Sequence, residues 1–449
     1  MIAKHLSQAL SQVLPANFSS NTLLKGSIGS LGLKVINTVA VFVYSLLLAR
    51  VLSVKDYGLY EYVMAWMMLL SVPAVFGLDK FMVREVSSLA AQRHWSRLRG
   101  LIAWSFTMVL GTSALVIAIL GALAWWRSGQ GNSQLSLLFW IGCIFLPATA
   151  LMTTAEGFLK GLHHITIGQL PTLFVRPITA ISLFGGVVLF STIEVNTRVA
   201  LFVYMAAVLT AFLVSFFLMI RKLPPQLKGL ASDYAMGAWT RHSVPLMINT
   251  SLYMLNSRVG VLVLGSIGQP EAAGVYAIAL KVSDLVAFVL VAVSVALAPT
   301  FSKLYTERNS QELQRTYTRS TQLIFLVSLP IVLGLVVLGQ WLLGIFGAAY
   351  VSGYGPLLVL ALGQVIALAV GPVGILLTMT NFEQYAVLGF SVGVVVNIAL
   401  CLILAPTMGV MGAAVAATVS ALVWNTVLAL ITFQKLELFV SIFQRPRSQ

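Results

Sequence analysis

Charge is what this chain of 449 residues has least of. Only 9% of it is charged, against about 25% in a soluble domain, while 59% is hydrophobic and the mean hydropathy is +0.95. So few charges cannot cover a water-exposed surface, which excludes a soluble globular protein. Acidic residues are the scarcer sign, 13 Asp and Glu against 27 Lys and Arg. There is no Asp-x-Asp, and the longest loop expected outside, about residues 127–134, holds no acid. Both absences argue against a lipid-linked glycosyltransferase, polymerase or ligase, whose chemistry needs placed carboxylates. The two cysteines, Cys143 and Cys401, lie in apolar stretches and exclude a disulfide framework. His163 and His164 are adjacent but have no third ligand nearby, a weak signal for a metal. The first twenty residues lack the long apolar core and small-residue cleavage site of a secretory signal.

What the chain has instead is apolar runs of 20 residues or more, each enough to cross a hydrocarbon layer about 30 Å thick. The sequence predicts an all-α integral membrane protein with twelve transmembrane helices. The spans fall near 27–52, 59–79, 100–126, 135–156, 168–191, 199–220, 242–266, 273–299, 321–346, 355–380, 384–406 and 409–432. Residues 1–26 read as an interfacial helix or a disordered tail, since Leu6, Leu10, Val13 and Leu14 follow helical spacing. Charge sets the expected orientation. With the N-terminus inside, 19 of the 27 basic residues fall on cytoplasmic segments, 4 outside and 4 within spans. That is a positive-inside pattern with both termini cytoplasmic, and it accounts for the net charge of +14 without nucleic acid.

The chain also repeats. Leu46–Trp66, "LLLARVLSVKDYGLYEYVMAW", aligns without a gap on Leu262–Val282, "LVLGSIGQPEAAGVYAIALKV", after a shift of 216 residues. Gly58 falls on Gly274 and Tyr60 on Tyr276. The shift superposes spans 1–2 on spans 7–8, so two six-helix lobes are expected, residues 27–223 and 241–432. A linker at 224–240 joins them, and a tail at 433–449 follows. An even number of spans gives both lobes one orientation, hence a pseudo-two-fold along the membrane normal. Parallel repeats of this kind belong to transporters whose substrate sits between the halves.

At these residues the chain resembles a known family. "LLARVLSVKDYGLYEYVMAWMMLLSVPAVFGLDKFMVREVS" is similar to the first helical hairpin of the Wzx-type polysaccharide flippases, the polysaccharide transport branch of the multidrug/oligosaccharidyl-lipid/polysaccharide (MOP) exporter superfamily. "VGVVVNIALCLILAPTMGVMGAAVAATVSALVW" resembles that family's last two helices, with Asn397, Pro406, Gly409, Gly412, Ala413 and Ala414 in register. "APTFSKLYTERNSQEL" resembles the cytoplasmic end of its eighth. The resemblance implies a MOP-flippase-like V of two lobes around a cationic cavity in the bacterial inner membrane, working by alternating access. The cargo it implies is an undecaprenyl-pyrophosphate-linked oligosaccharide. The implied partners are membrane lipids, a polysaccharide polymerase and a chain-length regulator, with no cofactor. Other members of the superfamily, a lipid II-type flippase or a cation-coupled small-molecule antiporter, stay as alternatives.

Candidate site residues follow from the cost of intramembrane charge, about 2.5–3.5 kcal/mol for Lys or Arg at a helix centre. Lys34, Arg176, Arg258 and Lys281 are the four basic residues inside spans, and Asp284 reads as the one carboxylate deep among them. A cationic surplus suits an anionic cargo held by charge-assisted hydrogen bonds. Counting about 1.5 Å per residue from the expected outer ends puts Lys34 and Arg176 deep, and Arg258 and Lys281 nearer the outside. That spacing suggests an inner and an outer pair. Asn37 shares a polar face of the first span with Lys34, Tyr44 and Ser45, and Asn249 and Asn256 share one on the seventh. Arg258 points away from that stripe. Lys281 and Asp284, three residues apart, either neutralise one another or leave Asp284 to couple a cation. Arg176 either faces the cavity or serves the kink at Pro177. Asp79 and Arg84, with Lys80 and Glu85, lie at the inner boundary as ion pairs, lipid contacts or a gate.

Overall fold

In a computed structural model, residues 21–128, 140, 145–190, 194–227 and 229–440 are described, and all their regular structure is helical. The N-terminal half comprises α1 (Asn21–Val51), α2 (Val54–Val75), α3 (Leu78–Ala91), α4 (Trp95–Ser128) and α5 (Phe145–Gly161). It continues with α6 (Ile165–Leu170), α7 (Arg176–Phe190) and α8 (Thr197–Arg221). The C-terminal half comprises α9 (Met236–Ser266), α10 (Pro270–Thr306), α11 (Ser310–Phe346), α12 (Tyr354–Val370), α13 (Val373–Met379) and α14 (Glu383–Leu436).

Nine helical stretches among the described residues are long and apolar enough to cross a membrane. One of them, α14, is 54 residues long and bends at Gly409, whose φ of 54° breaks the helix into the two final spans. The other kinks also have local causes. The tenth span, expected to run unbroken over 355–380, stops at Gly371 (φ 85°) before Pro372 and resumes as α13. The fifth is interrupted by a π-helical turn, Pro171–Val175, in which the Arg176 amide donates to the Pro171 carbonyl. Pro177 has no amide proton to continue the α ladder, and a π turn is one way of absorbing that loss. The helices α5 and α9 occupy the fourth and seventh places, so the arrangement accommodates twelve spans. Residues 21–26 continue α1, while 1–20, the expected loop from 129 on, Cys143 and 441–449 lie outside the described residues.

The 216-residue repeat has a physical counterpart. At the turn of residues 52–53 the Ser53 side chain caps α2 by accepting from the Asp56 amide at 3.0 Å. Gly58, one turn into α2, lies against the start of α10. A Cβ on Gly58 would overlap the Pro270 carbonyl, and one on Gly274 would stand 3.0 Å from the Val54 carbonyl and 3.2 Å from Gly58. The repeat-related glycines therefore touch each other, as residues near a two-fold axis must, and at Gly58 only glycine permits the approach. The helix stops repeat as well. Arg93 and Arg308 both end a helix with positive φ, as do His163 and Asn381. In each, a backbone N–H one residue further on returns to a carbonyl five back, the pattern of a helix C-cap.

Packing is unequal along the bundle. At the end bearing the 52–53 turn, the hairpin end, one continuous apolar core joins α1, α2, α7 and α8 to α9–α12 and α14. At the other end there are three smaller cores. One holds Phe81, Trp104 and Trp239 and so reaches from the N-terminal half to α9. The other two lie in the C-terminal half, around Phe301, Tyr317, Leu376 and Leu438 and around Val373, Leu377, Ala386 and Leu428. The halves are thus sealed together most broadly at the hairpin end, while α9 also meets the N-terminal half at the other end, at Gly77 and Trp104. Side chains such as Phe190, Val337 and Ile403 remain exposed around the bundle, which suits hydrocarbon.

Candidate functional site

The site lies behind the hairpin-end seal, in a cavity of ≈ 130 Å³ between the halves. From the N-terminal half α1 contributes Tyr44 and Ser45, α2 Tyr60 and Glu61, and Arg176 stands where the π turn hands over to α7. Arg258 on α9 and Lys281 on α10 enter from the opposite half. Three cations and one carboxylate therefore share one wall-to-wall space. Tyr44 and Tyr204 stack at 6.2 Å, with Phe184 edge-on to Tyr44 at 6.1 Å, so one side of the cavity is aromatic.

Lys281 has a complete set of partners. Its Nζ forms an ion pair with Glu61 Oε1 at 2.5 Å and donates to Ser45 Oγ and Tyr57 Oη, each at 3.0 Å. An ammonium has three protons to give, and each finds an acceptor. All three acceptors belong to the other half of the molecule. Glu61 is buried, and Tyr57 beneath it is enclosed and packs edge-on against Tyr350 at 5.9 Å. Arg258 differs: its Nε is buried and makes no hydrogen bond. A buried donor on a cation without an acceptor is costly, and an incoming anion can supply what is missing.

Three readings of the sequence are corrected by this geometry. Asp284 is not the one carboxylate within the spans, because Glu61 lies inside α2. Lys281 is neutralised by Glu61 and not by Asp284, which is exposed and in no ion pair among the described residues. The inner and outer pairs of cations do not hold either. Arg176 lines the same cavity as Arg258 and Lys281, so counting residues from each expected helix end misjudges their relative depth. Lys34 stands apart from that lining, half-buried on α1, with its carbonyl accepting from Thr38 Oγ1 at 2.9 Å.

The remaining candidates are placed as follows. Asn37 is half-buried and its Oδ1 lacks a partner. Asn256 is engaged within its own half, accepting from the Asn397 side-chain amide at 2.9 Å through Oδ1. Asn249 is half-buried on the same helix. Arg258 reaches the cavity despite lying on the other side of α9 from Asn249. At the far end, Asp79 Oδ1 is enclosed without a partner and Arg84 is exposed. No ion pair joins them among the described residues, and Lys80 instead reaches Thr250 Oγ1 at 3.5 Å across the halves. Partial burial, with Lys222 and His163 nearby, holds the His164 imidazole below its usual pKa. Glu61 could have been found in the sequence: a glutamate within an apolar span is a functional candidate by its cost alone. Its partner could not, because 220 residues separate it from Lys281.

Comparison with known proteins gives the family. The model of the family described as "Polysaccharide biosynthesis protein" matches residues 23–305, and that of MatE matches residues 245–403. No curated protein sequence matches the chain. Among solved structures, an inward-facing multidrug resistance MATE family transporter of the MOP superfamily superposes with a TM-score of 0.75. It is 13% identical, with 92% of this chain and 98% of that one covered. A MOP superfamily transporter from Pyrococcus furiosus, whose binding pocket is described as reversed in polarity, gives 0.66 at 13% identity, covering 93% and 95%. The lipid II flippase MurJ in an inward closed conformation gives 0.65 at 13% identity, covering 91% and 87%. These likenesses establish a shared fold, and the first family match spans well over half of the sequence. The chain therefore belongs to the polysaccharide biosynthesis protein family.

Proposed function

We propose that the protein is a flippase of the bacterial inner membrane. In this reading it carries an undecaprenyl-pyrophosphate-linked oligosaccharide, a repeat unit of O-antigen, capsule or exopolysaccharide, from the cytoplasmic to the outer leaflet. One observation supports it most: Arg176, Arg258 and Lys281 face a single cavity between the halves against one carboxylate, Glu61. A pyrophosphate offers several anionic oxygens, and guanidinium groups bind such oxygens in pairs. The tyrosine wall of Tyr44, Tyr60 and Tyr204 gives a sugar both ring faces and hydroxyls. The hairpin-end seal represents the state that is closed to the outside, with both termini in the cytoplasm. A polymerase and a chain-length regulator are the partners this function would need on the far side.

The alternative is another exporter of the superfamily, a lipid II-type flippase or a cation-coupled small-molecule antiporter, and the MatE match over 245–403 favours keeping it. The surplus of cations in the cavity weighs against a cationic cargo. Deleting the gene in its host and analysing the lipid-linked intermediates decides between them. Loss of surface polymer, with oligosaccharide trapped on the cytoplasmic face, is expected, and restoration should fail with Arg176→Leu/Arg258→Leu. Normal surface polymer with altered sensitivity to drugs would replace this reading with the antiporter.

A further inference from the structure

Among the described residues Glu61 and Lys281 form the one ion pair between the halves, and it lies where a cavity occupant can reach it. Several other cross-half contacts have no share in the cavity wall: Gly58 against Gly274, Tyr57 against Tyr350, and Arg50 donating to the Ile345 and Gly344 carbonyls. The bond to Ser45, which does line the cavity, is made by the same Lys281 ammonium. Glu61 and Lys281 line both the seal and the cavity. The pair also has no twin. The residue 216 positions after Glu61 is Ala277 and the one 216 before Lys281 is Ala65, both buried. Among the described residues this two-fold scaffold thus holds a single ion pair between its halves, and that pair is asymmetric.

We infer that Glu61 is a displaceable stand-in for the substrate's anionic head group: it holds Lys281 while the cavity is empty, and gives it up to a pyrophosphate, which unlatches the hairpin end. The inference rests on the proposed anionic cargo. The electrostatics run in one direction. With Glu61 paired, the carboxylate of one half is bound to the ammonium of the other, and the seal is held shut. A pyrophosphate entering between Arg176, Arg258 and Lys281 satisfies the free Arg258 Nε and competes for Lys281 with more than one negative charge. Glu61 is then left beside an anion of its own sign in a poorly solvated place, and repulsion drives α2 from α10. Without an occupant, opening would leave Lys281 unpaired, so an empty transporter stays closed at this end. Glu61 is thus a positioning residue that couples loading to opening.

The test is a spin-label distance across the hairpin end, between cysteines placed at the exposed Lys55 and Glu271 after the native Cys143 and Cys401 are replaced by alanine. The full chain is held in lipid nanodiscs, and inorganic pyrophosphate is the probe. The unaltered pair should give one short distance that partly converts to a longer one when pyrophosphate is added. Glu61→Gln should show the longer distance without pyrophosphate, its population raised about ten-fold, the factor that about 1.4 kcal/mol makes in an equilibrium. The exchange Glu61→Lys/Lys281→Glu should restore the short distance and lose the response, because the cation then sits on the wrong half. A Glu61→Gln protein that keeps the short distance, or an exchanged pair that still answers pyrophosphate, overturns the latch. If Glu61→Gln opens the seal and the exchange closes it while pyrophosphate leaves the unaltered protein unmoved, the ionic contact stands as a seal, and both its release by a head group and the anionic cargo fall.

Discussion

At the scale of single residues, the energetics of the site turn on which charges are left without a partner. Removing one member of a buried ion pair strands the other, and the penalty exceeds the net worth of the pair. Lys281 keeps 24% of its side chain exposed and Glu61 only 6%, so the carboxylate is the member that suffers when abandoned. Lys281→Met should therefore destabilise the protein by about 1–3 kcal/mol, below the range for a fully buried pair. Adding Glu61→Gln should return most of that loss. Thermal unfolding of the four proteins of this double-mutant cycle measures it, and additive losses would show that the two side chains do not depend on each other. The pattern of amino acids already flags Lys281 as costly. It gives no means of choosing between Asp284, three residues away on the same helix, and Glu61 in the other half. Sequence proximity favoured Asp284. The packing of α2 on α10 brings Glu61 within 2.5 Å.

At the scale of elements, the approach of α2 and α10 depends on two glycines that are not equally placed. A methyl group on Gly58 would meet the Pro270 carbonyl, which is backbone and cannot swing away. On Gly274 it would meet the Val54 carbonyl at 3.0 Å, a contact relieved by a small shift. Gly58→Ala should cost about 1–3 kcal/mol, in the range of overpacked interiors, and Gly274→Ala distinctly less. Comparing the melting temperatures of the two single variants checks the order. Equal melting temperatures would mean that the helices separate as readily at either position. The alignment at 216 residues identifies both glycines as a matched pair, and leaves unseen that they press on each other. Helix interruptions divide the same way. Pro177, Gly371-Pro372 and Gly409 are visible as breakers, but whether a breaker ends a span, bends it or yields a π turn depends on what packs around it. Gly371 stops α12 and lies against Thr321 of α11, whereas Pro73 and Pro245 pass through unbroken helices.

At the scale of the whole molecule, charge fixes the expected direction of the bundle. The hairpin-end turns at 52–53 and 267–269 carry few basic residues, and the segments at the other end carry most of them. Alkaline phosphatase joined after Gly268 should be active, and joined after Gly229, in the segment between the halves, inactive. The opposite pair of results would invert the protein in the membrane and turn the seal towards the cytoplasm. The same scale explains why the cavity is cationic at modest cost. Placed singly in the bilayer each cation would be expensive, but gathered between two halves they share one carboxylate, three hydroxyl-bearing aromatics and a space open to polar groups.

Composition and periodicity by themselves determined that the chain is helical, lies in a membrane and is built from two halves, because burying so many apolar segments and neutralising their backbone admits few other solutions. The sequence also determined that Lys34, Arg176, Arg258 and Lys281 are costly where they stand, since that cost is local to each span. The tertiary structure decided which of them share a cavity, that Arg258 turns into it, and that Lys281 is held by Glu61. Those outcomes depend on distances between helices more than a hundred residues apart in the chain, set by glycine contacts, kinks and tilts. No single span encodes them.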